Sequence, residues 1–512
     1  DDLGVTYLNN SISFKLWAPT SIKVELLLYK EWYINHEDDV IKYPMIYDYK
    51  TGVYTTVVNK EDADGMYYLY KLYFRDVDIN GKIIETVTYA VDPYANSVSV
   101  NGDKGYVLDI NEKSTKPIGF TNHPIPILSE KDDSIIYEMH IRDFTIDESS
   151  GVINDLRGTY LGTVEENTIY KNPYNGKCVK TGIDHLCELG ITHVHLMPIF
   201  DFGSVDERFP GSNNRNWGYD PKNFNVPEGS YCSNPYNPVT RILELRQMIM
   251  KFHERGIRVV MDMVYNHMMS TVNMDNIVPG YYFRSDYLGR YTNGSGCGNE
   301  LASERPMVRK FIIDSCLHWI KDYKIDGIRF DLMELLDIDT TKEIVKKTTK
   351  LDKNFLIYGE PWKGGSSPLV NGTYKGSQKN ENFSIFNDTF RDAIRGNNHP
   401  SSGFINGNQY SSICNWSIIE GLKGSIYTIT SNPNESINYV DAHDNYTLWD
   451  QVEKSQNQSI KFGEFRFNIP DYPLNSNLVK QDLLGMAIIF TAQGIPFIQS
   501  GSEFLKTKQG DH

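Results

Sequence analysis

The stretch 325–331 reads IDGIRFD and sets Arg329 and Asp331 two residues apart in an apolar run. Side chains alternate along an extended strand, so these two share a face. A carboxylate beside a guanidinium is held ionised, the state a nucleophile needs; a salt bridge at a strand end explains the pair equally well. In 357–362, IYGEPW, Glu360 closes an apolar run and Pro361 stops it. Apolar and aromatic surroundings raise a carboxyl's proton affinity, which suits a general acid, with a merely solvated acid as the alternative. Trp362 adds a ring at the rim. Two more apolar runs end in histidine: 439–445, YVDAHDN, with His443, Asp444 and Asn445, and 262–267, DMVYNH, with His267. Each histidine alone is more simply structural. Taken together, two carboxylates, two histidines, an arginine and a further acid at the same end of different runs are hard to obtain as independent salt bridges. A retaining glycosidase needs such a set: an ionised carboxylate, a protonated acid about 5 Å away and donors for sugar hydroxyls.

Elements able to bring these residues together follow from the periodicity. Up to about residue 100 apolar residues alternate in short runs bounded by turn residues, as in Ile12, Phe14 and Leu16, the pattern of an all-β, immunoglobulin-like sandwich. This gives a module over 1–103, and a Pro-, Lys- and Gly-rich connector over 104–133. From 134 the rhythm becomes apolar strand, amphipathic helix, apolar strand. Strands are expected at 134–143, 191–200, 257–265, 325–333, 354–361, 382–387 (weak), 437–443 and 495–501, with helices at 238–256, 304–324 and 338–353. Eight strands interleaved with helices make an α/β fold, a (β/α)8 barrel over 134–512, and the strand ends named above face its C-terminal rim.

Composition narrows the function classes. Against 51 Lys and Arg the chain carries 66 Asp and Glu, a formal charge of −15 that repels nucleic-acid backbones. No run is apolar enough for a membrane span. Six cysteines without CxxC spacing suit neither a disulfide framework nor zinc. His193 and His195 share a strand face and could ligate a metal, but packing or support of the site is the better reading. The glycine-rich 294–298 lacks the GK[ST] of a phosphate loop. Asp1 follows no leader, so a signal peptide is absent or removed, and a cytoplasmic or a secreted location both remain.

The runs DMVYNH, DGIRFDLM, YGEPW and YVDAHDN closely resemble, in order, the four signature regions of the α-amylase superfamily, glycoside hydrolase family 13. Within it, 216–221, NWGYDP, resembles the motif of type I pullulanases, and the first hundred residues resemble a family 48 carbohydrate-binding module. The resemblance implies Asp331 as nucleophile, Glu360 as acid/base and Asp444 as a third carboxylate gripping ring hydroxyls. It implies Tyr219, Asp220, His267, Arg329, Trp362, His443 and Asn445 as substrate-binding residues. The activity implied is α-retaining hydrolysis of α-1,6 branch links in pullulan, amylopectin and limit dextrins, in bacterial starch or glycogen metabolism. No cofactor and no metal ligand are implied, though a structural calcium is compatible; the partner is an α-glucan and a monomer is expected. Two departures stand out. Arg215 replaces the motif's usual first Tyr. The chain also stops just after the eighth strand, which predicts a fragment of a longer protein with an uncovered, association-prone barrel seam. Alternatives are an amylopullulanase or α-1,4-acting relative, and an inactive glucan-binding protein.

Overall fold

The computed structural model describes residues 2–511 except 36, 210–215, 467, 468 and 471; Arg215 lies outside the described residues. The N-terminal region forms two antiparallel sheets. One orders Gly4–Tyr7, Ser11–Trp17, Val53–Asn59 and Ile46–Asp48; the other orders Ile41–Pro44, Lys23–Tyr29, Tyr67–Val77 and Ile83–Ala90. Alternation buries Ile12, Phe14, Val24, Leu26, Tyr70 and Leu72 between them. Gly105–Tyr106 pairs with Tyr67–Val77, so the second sheet draws a strand from the stretch after residue 103. The sandwich is tied to the barrel at Asn273, whose Oδ1 accepts from Val91 N (2.8 Å) and whose Nδ2 donates to Val91 O (3.1 Å).

Eight parallel strands close a barrel: Ile136–Met139, His193–Leu196, Arg258–Met263, Gly327–Phe330, Leu356–Gly359, Ser384–Phe386, Ser436–Tyr439 and Ile495–Gln499. Closure is direct, with Ile136 of the first strand opposite Phe497 of the eighth. Every residue of these strands is buried, which is why they read as continuous apolar runs. Phe386 packs edge-on against Tyr358, Tyr439 and Phe497 at 5.6, 5.1 and 5.1 Å. The interior is thus filled, and a ligand can enter only at the mouth. The helices Pro238–Glu254, Pro306–Tyr323 and Ile338–Leu351 end within two residues of the expected bounds. Pro238 and Pro306 sit in first turns, where no amide donor is needed. Among the described residues no helix is long and apolar enough to cross a membrane.

The strands are shorter than the apolar runs. The fourth ends at Phe330 rather than 333, so the residues of interest lie just beyond strand ends. Pairing continues one residue past them: Asp331 N donates to Met263 O (3.0 Å) and Glu360 N to Phe330 O (3.2 Å). The chain then turns away sharply, with left-handed backbone at Leu332 (φ 41°) and Asn445 (φ 65°). Gly359 is needed for the close fit before Glu360, since a Cβ there would lie 2.7 Å from both Met333 Sδ and Phe330 O.

Candidate active site

One buried guanidinium organises the barrel mouth. Arg329 Nη1 contacts Asp262 Oδ1 (2.8 Å) and Asp331 Oδ1 (2.9 Å), while Nη2 contacts Glu360 Oε1 (2.7 Å). The strand geometry dictates this: Arg329 and Asp331 share a face, and Asp262 and Glu360 come from the two adjacent strands. Asp331 Oδ2 accepts from Asn266 Nδ2 at 2.7 Å, and Glu360 Oε2 from Leu332 N at 2.9 Å. Burial pushes the Glu360 carboxyl up to about 8, against the pull of Arg329 and with the help of Asp331. Asp262 goes the other way. Its burial favours the neutral acid, but Arg329 and His195 outweigh that and hold it down to about 2.

A second pair supports the seventh strand's end. Glu138 on the first strand accepts from His443 N at 2.7 Å through Oε2 and faces His443 Nδ1 at 2.8 Å through Oε1. Burial opposes charge on the imidazole, yet Glu138 overrides it and raises His443 to about 9. Tyr219 stacks on the His443 ring, centroids 5.0 Å apart at 18°, and donates its hydroxyl to Asp262 Oδ2 at 2.7 Å. His267 Nδ1 lies 2.6 Å from Asn266 Oδ1 and Nε2 2.8 Å from Tyr219 O, so it braces those residues. Asp444 has a side chain 57% exposed, its Oδ1 4.0 Å from His443 Nε2.

A cavity of about 290 Å³ opens over this cluster, lined by Arg329, Glu360, Trp362, His443, Asp444 and Asn445 among others. Tyr219 and Trp217 line an adjoining hollow with Asp220, whose Oδ1 accepts from Asn216 Nδ2 at 2.9 Å. All ten residues singled out in the sequence thus gather at one rim, with Asp331 beneath the cavity and His267 behind it. Two participants were missed, Glu138 and Asp262; His195, read in the sequence as packing or supporting the site, does support it, its Nε2 3.2 Å from Asp262 Oδ2. The signal was available, because a lone acid within a wholly apolar strand must have a partner. His193 is buried and meets Thr192 Oγ1 at 2.7 Å, away from the cluster.

No metal ligand was singled out in the sequence, yet Asp201, Glu207 and Glu228 converge, buried, with ligand atoms within 4.8 Å of one another. Their composition is compatible with a structural calcium. Arg241 already stands there, its Nη2 2.7 Å from Glu207 and its Nη1 3.4 Å from Asp201, and Glu228 accepts from the amides of Phe202 and Ser230.

Comparison with known proteins agrees with this geometry. Residues 176–277 match the alpha amylase catalytic domain, and residues 2–95 match carbohydrate-binding module 48 (isoamylase N-terminal domain). The pullulanase of Bacillus subtilis (strain 168) is 38% identical over 99% of this chain and 66% of its own length. For the chloroplastic Pullulanase 1 of Arabidopsis thaliana the figures are 31%, 99% and 59%. The chain therefore spans somewhat less than two thirds of these curated relatives. A solved pullulanase from Paenibacillus barengoltzii, in complex with maltohexaose and alpha-cyclodextrin, is 39% identical with a TM-score of 0.88, covering 100% of this chain and 75% of that one. The pullulanase of Anoxybacillus sp. LM18-11 complexed with maltotetraose is also 39% identical, with a TM-score of 0.85, covering 100% of this chain and 69% of that one. With the strand-end residues in place on a closed barrel and whole-chain likeness to these enzymes, the chain belongs to the pullulanase family of the α-amylase superfamily.

Proposed function

We propose that this protein is a glycoside hydrolase that cleaves α-1,6 branch links in pullulan and related α-glucans by an α-retaining double displacement. The observation that carries this is the bridging of Asp331 and Glu360 by neighbouring nitrogens of Arg329 under a cavity lined by Trp362, His443 and Asp444. Asp331, aligned by Asn266 and charge-compensated by Arg329, attacks the anomeric carbon. Glu360, kept protonated by burial, gives its proton to the leaving glycosidic oxygen. In the second step its carboxylate takes a proton from water, which attacks the glycosyl-enzyme from the same face and restores the α configuration. Arg329 serves both steps, since it faces whichever of the two carboxyls is charged.

Asp444 is the third carboxylate, gripping ring hydroxyls. Tyr219, His443, Asp220, His267, Arg329 and Asn445 shape the same subsite, and Trp362 stacks on a sugar on the acid's side. Residues 1–103 serve as a carbohydrate-binding-type module, 104–133 as connector and 134–512 as the barrel. The chemistry asks for no cofactor. At the Asp201 cluster Arg241 supplies one positive charge, which pairs with Glu207, while burial favours the neutral acids of Asp201 and Glu228, so calcium is compatible with the site but not required there, and the unit acts as a monomer. Incubation with pullulan and with linear maltodextrin tests the reading. Maltotriose from pullulan, with maltodextrin intact, supports it; cleavage of both makes the enzyme an α-1,4-acting relative, and binding without cleavage overturns it.

A further inference from the structure

The segment after the eighth strand returns to the barrel mouth and is held there. Asp450, fully buried in the first turn of the helix Leu448–Gln456, accepts from the Thr507 hydroxyl, from Lys508 N (2.8 Å) and from Gly510 N (3.1 Å). Gln509 Oε1 adds a bond from Gly463 N at 2.8 Å. These contacts fix the strap's backbone, from which Lys508 reaches inward; Lys506 lines the same hollow beside Trp217 and His443. Lys508 Nζ donates to His443 O at 2.9 Å and stands 5.6 Å from the centroid of the Trp217 ring. Trp217 in turn lies edge-on to the His443 ring at 5.2 Å. One ammonium thus joins the two walls of the site, the segment around 217 and the turn 443–445.

The position matters because of what the turn carries. Asp444 follows the carbonyl that Lys508 holds, and its own side chain is mostly exposed. Glu138 fixes the amide and ring of His443, but the peptide leading out to Asp444 is oriented from its carbonyl end by Lys508. Such a charge-assisted bond in a part-buried place is strong, and the cation over the indole adds to it. We infer that Lys508 is a positioning residue for hydrolysis, one that sets the 443–445 turn against Trp217 so that Asp444 meets the sugar in the transition state. This rests on the function proposed above. Lys508 touches no reacting atom, and its effect is exerted through Asp444.

Steady-state kinetics on pullulan with Lys508→Met and Lys508→Arg, in the full chain, test the inference. Methionine keeps the apolar stem but removes the donor, so kcat falls about tenfold to a hundredfold while KM moves by less than about threefold. Arginine, which can still donate to the carbonyl and cover the indole, restores kcat to within about threefold of wild type. A Thr507→Val variant, which weakens the strap and keeps the ammonium, gives a smaller loss in the same direction. Thermal melting of each variant separates positioning from folding. A Lys508→Met protein with kcat within threefold of wild type overturns the inference, as does a loss of kcat that arginine fails to rescue. A wild-type chain unable to cleave pullulan overturns both this and the proposed function; an active wild type with an indifferent Lys508→Met overturns this inference alone.

Discussion

Two buried arginines in this barrel each gather three acids, and the environments separate their chemistry. Arg329 faces Asp262, Asp331 and Glu360 under an open cavity. Arg241 sits with Asp201, Glu207 and Glu228, all within 1% of full burial. Around Arg241 the acids' oxygens are met by protein donors: Glu207 accepts from the amides of Gly229 and Asn101, and Asp201 from Asn223 Nδ2 at 2.6 Å. Around Arg329 the side chains of Asp331 and Glu360 retain 13% and 9% exposure, and Glu360 lines the cavity together with Arg329 itself. One arginine with three carboxylates is therefore a closed lock in one place and, in the function proposed above, a reaction centre in the other. Access to substrate decides which, rather than charge alone.

The largest expected effect is on the open cluster. Asp331→Asn and Glu360→Gln should each lower pullulan hydrolysis at least about a thousandfold, roughly 4 kcal/mol of transition-state stabilisation, with melting temperature little changed. A variant retaining a tenth of the activity would remove that residue from its role. The closed cluster should respond in the opposite way. Arg241→Met leaves buried carboxylates uncompensated and should destabilise the fold by about 3–5 kcal/mol, while kcat per folded molecule holds. Chelation with EDTA should shift neither melting nor rate, because Arg241 balances Glu207 while burial favours neutral Asp201 and Glu228; a clear drop in melting temperature would return calcium to that site.

A smaller effect concerns pH. Glu360 binds its proton up to about 8, against an ordinary 4.5. As general acid it must be protonated, so kcat/KM should decline on the alkaline side around pH 8. For stability the folded state holds the extra proton, so this contribution is whole below about 4.5 and is lost as pH rises through 8. Glu360→Gln should flatten that slope in urea titrations at several pH values. An unchanged slope would mean that another group carries it, with Asp201, pushed up to about 7 by burial, the first to examine.

The contrast between the two clusters also marks what a sequence discloses. The open cluster was legible because its members cap apolar strands, and strand periodicity alone brings such ends to one rim. All eight barrel strands were placed for the same reason, including the weak sixth at Ser384–Phe386. Strand lengths were overestimated, since the apolar run continues into the rim where Leu332 already turns away. Glu138 and Asp262 carried a usable signal, an acid within a buried apolar strand. The closed cluster carried none. Asp201 lies in the short strand Phe200–Phe202, Arg241 in a helix, and Glu207 and Glu228 in loops, so they are scattered along the chain, and only the fold shows them to be buried together. Lys508 was hidden likewise, as one lysine in a polar tail.

The stereochemistry of the first product tests the central claim most directly. Proton NMR of the initial reducing end released from pullulan should show the α anomer, with β appearing only later by mutarotation, because two carboxyls on one guanidinium act as nucleophile and acid in succession. An initial β anomer would mean direct attack by water, and would contradict Asp331 as the nucleophile.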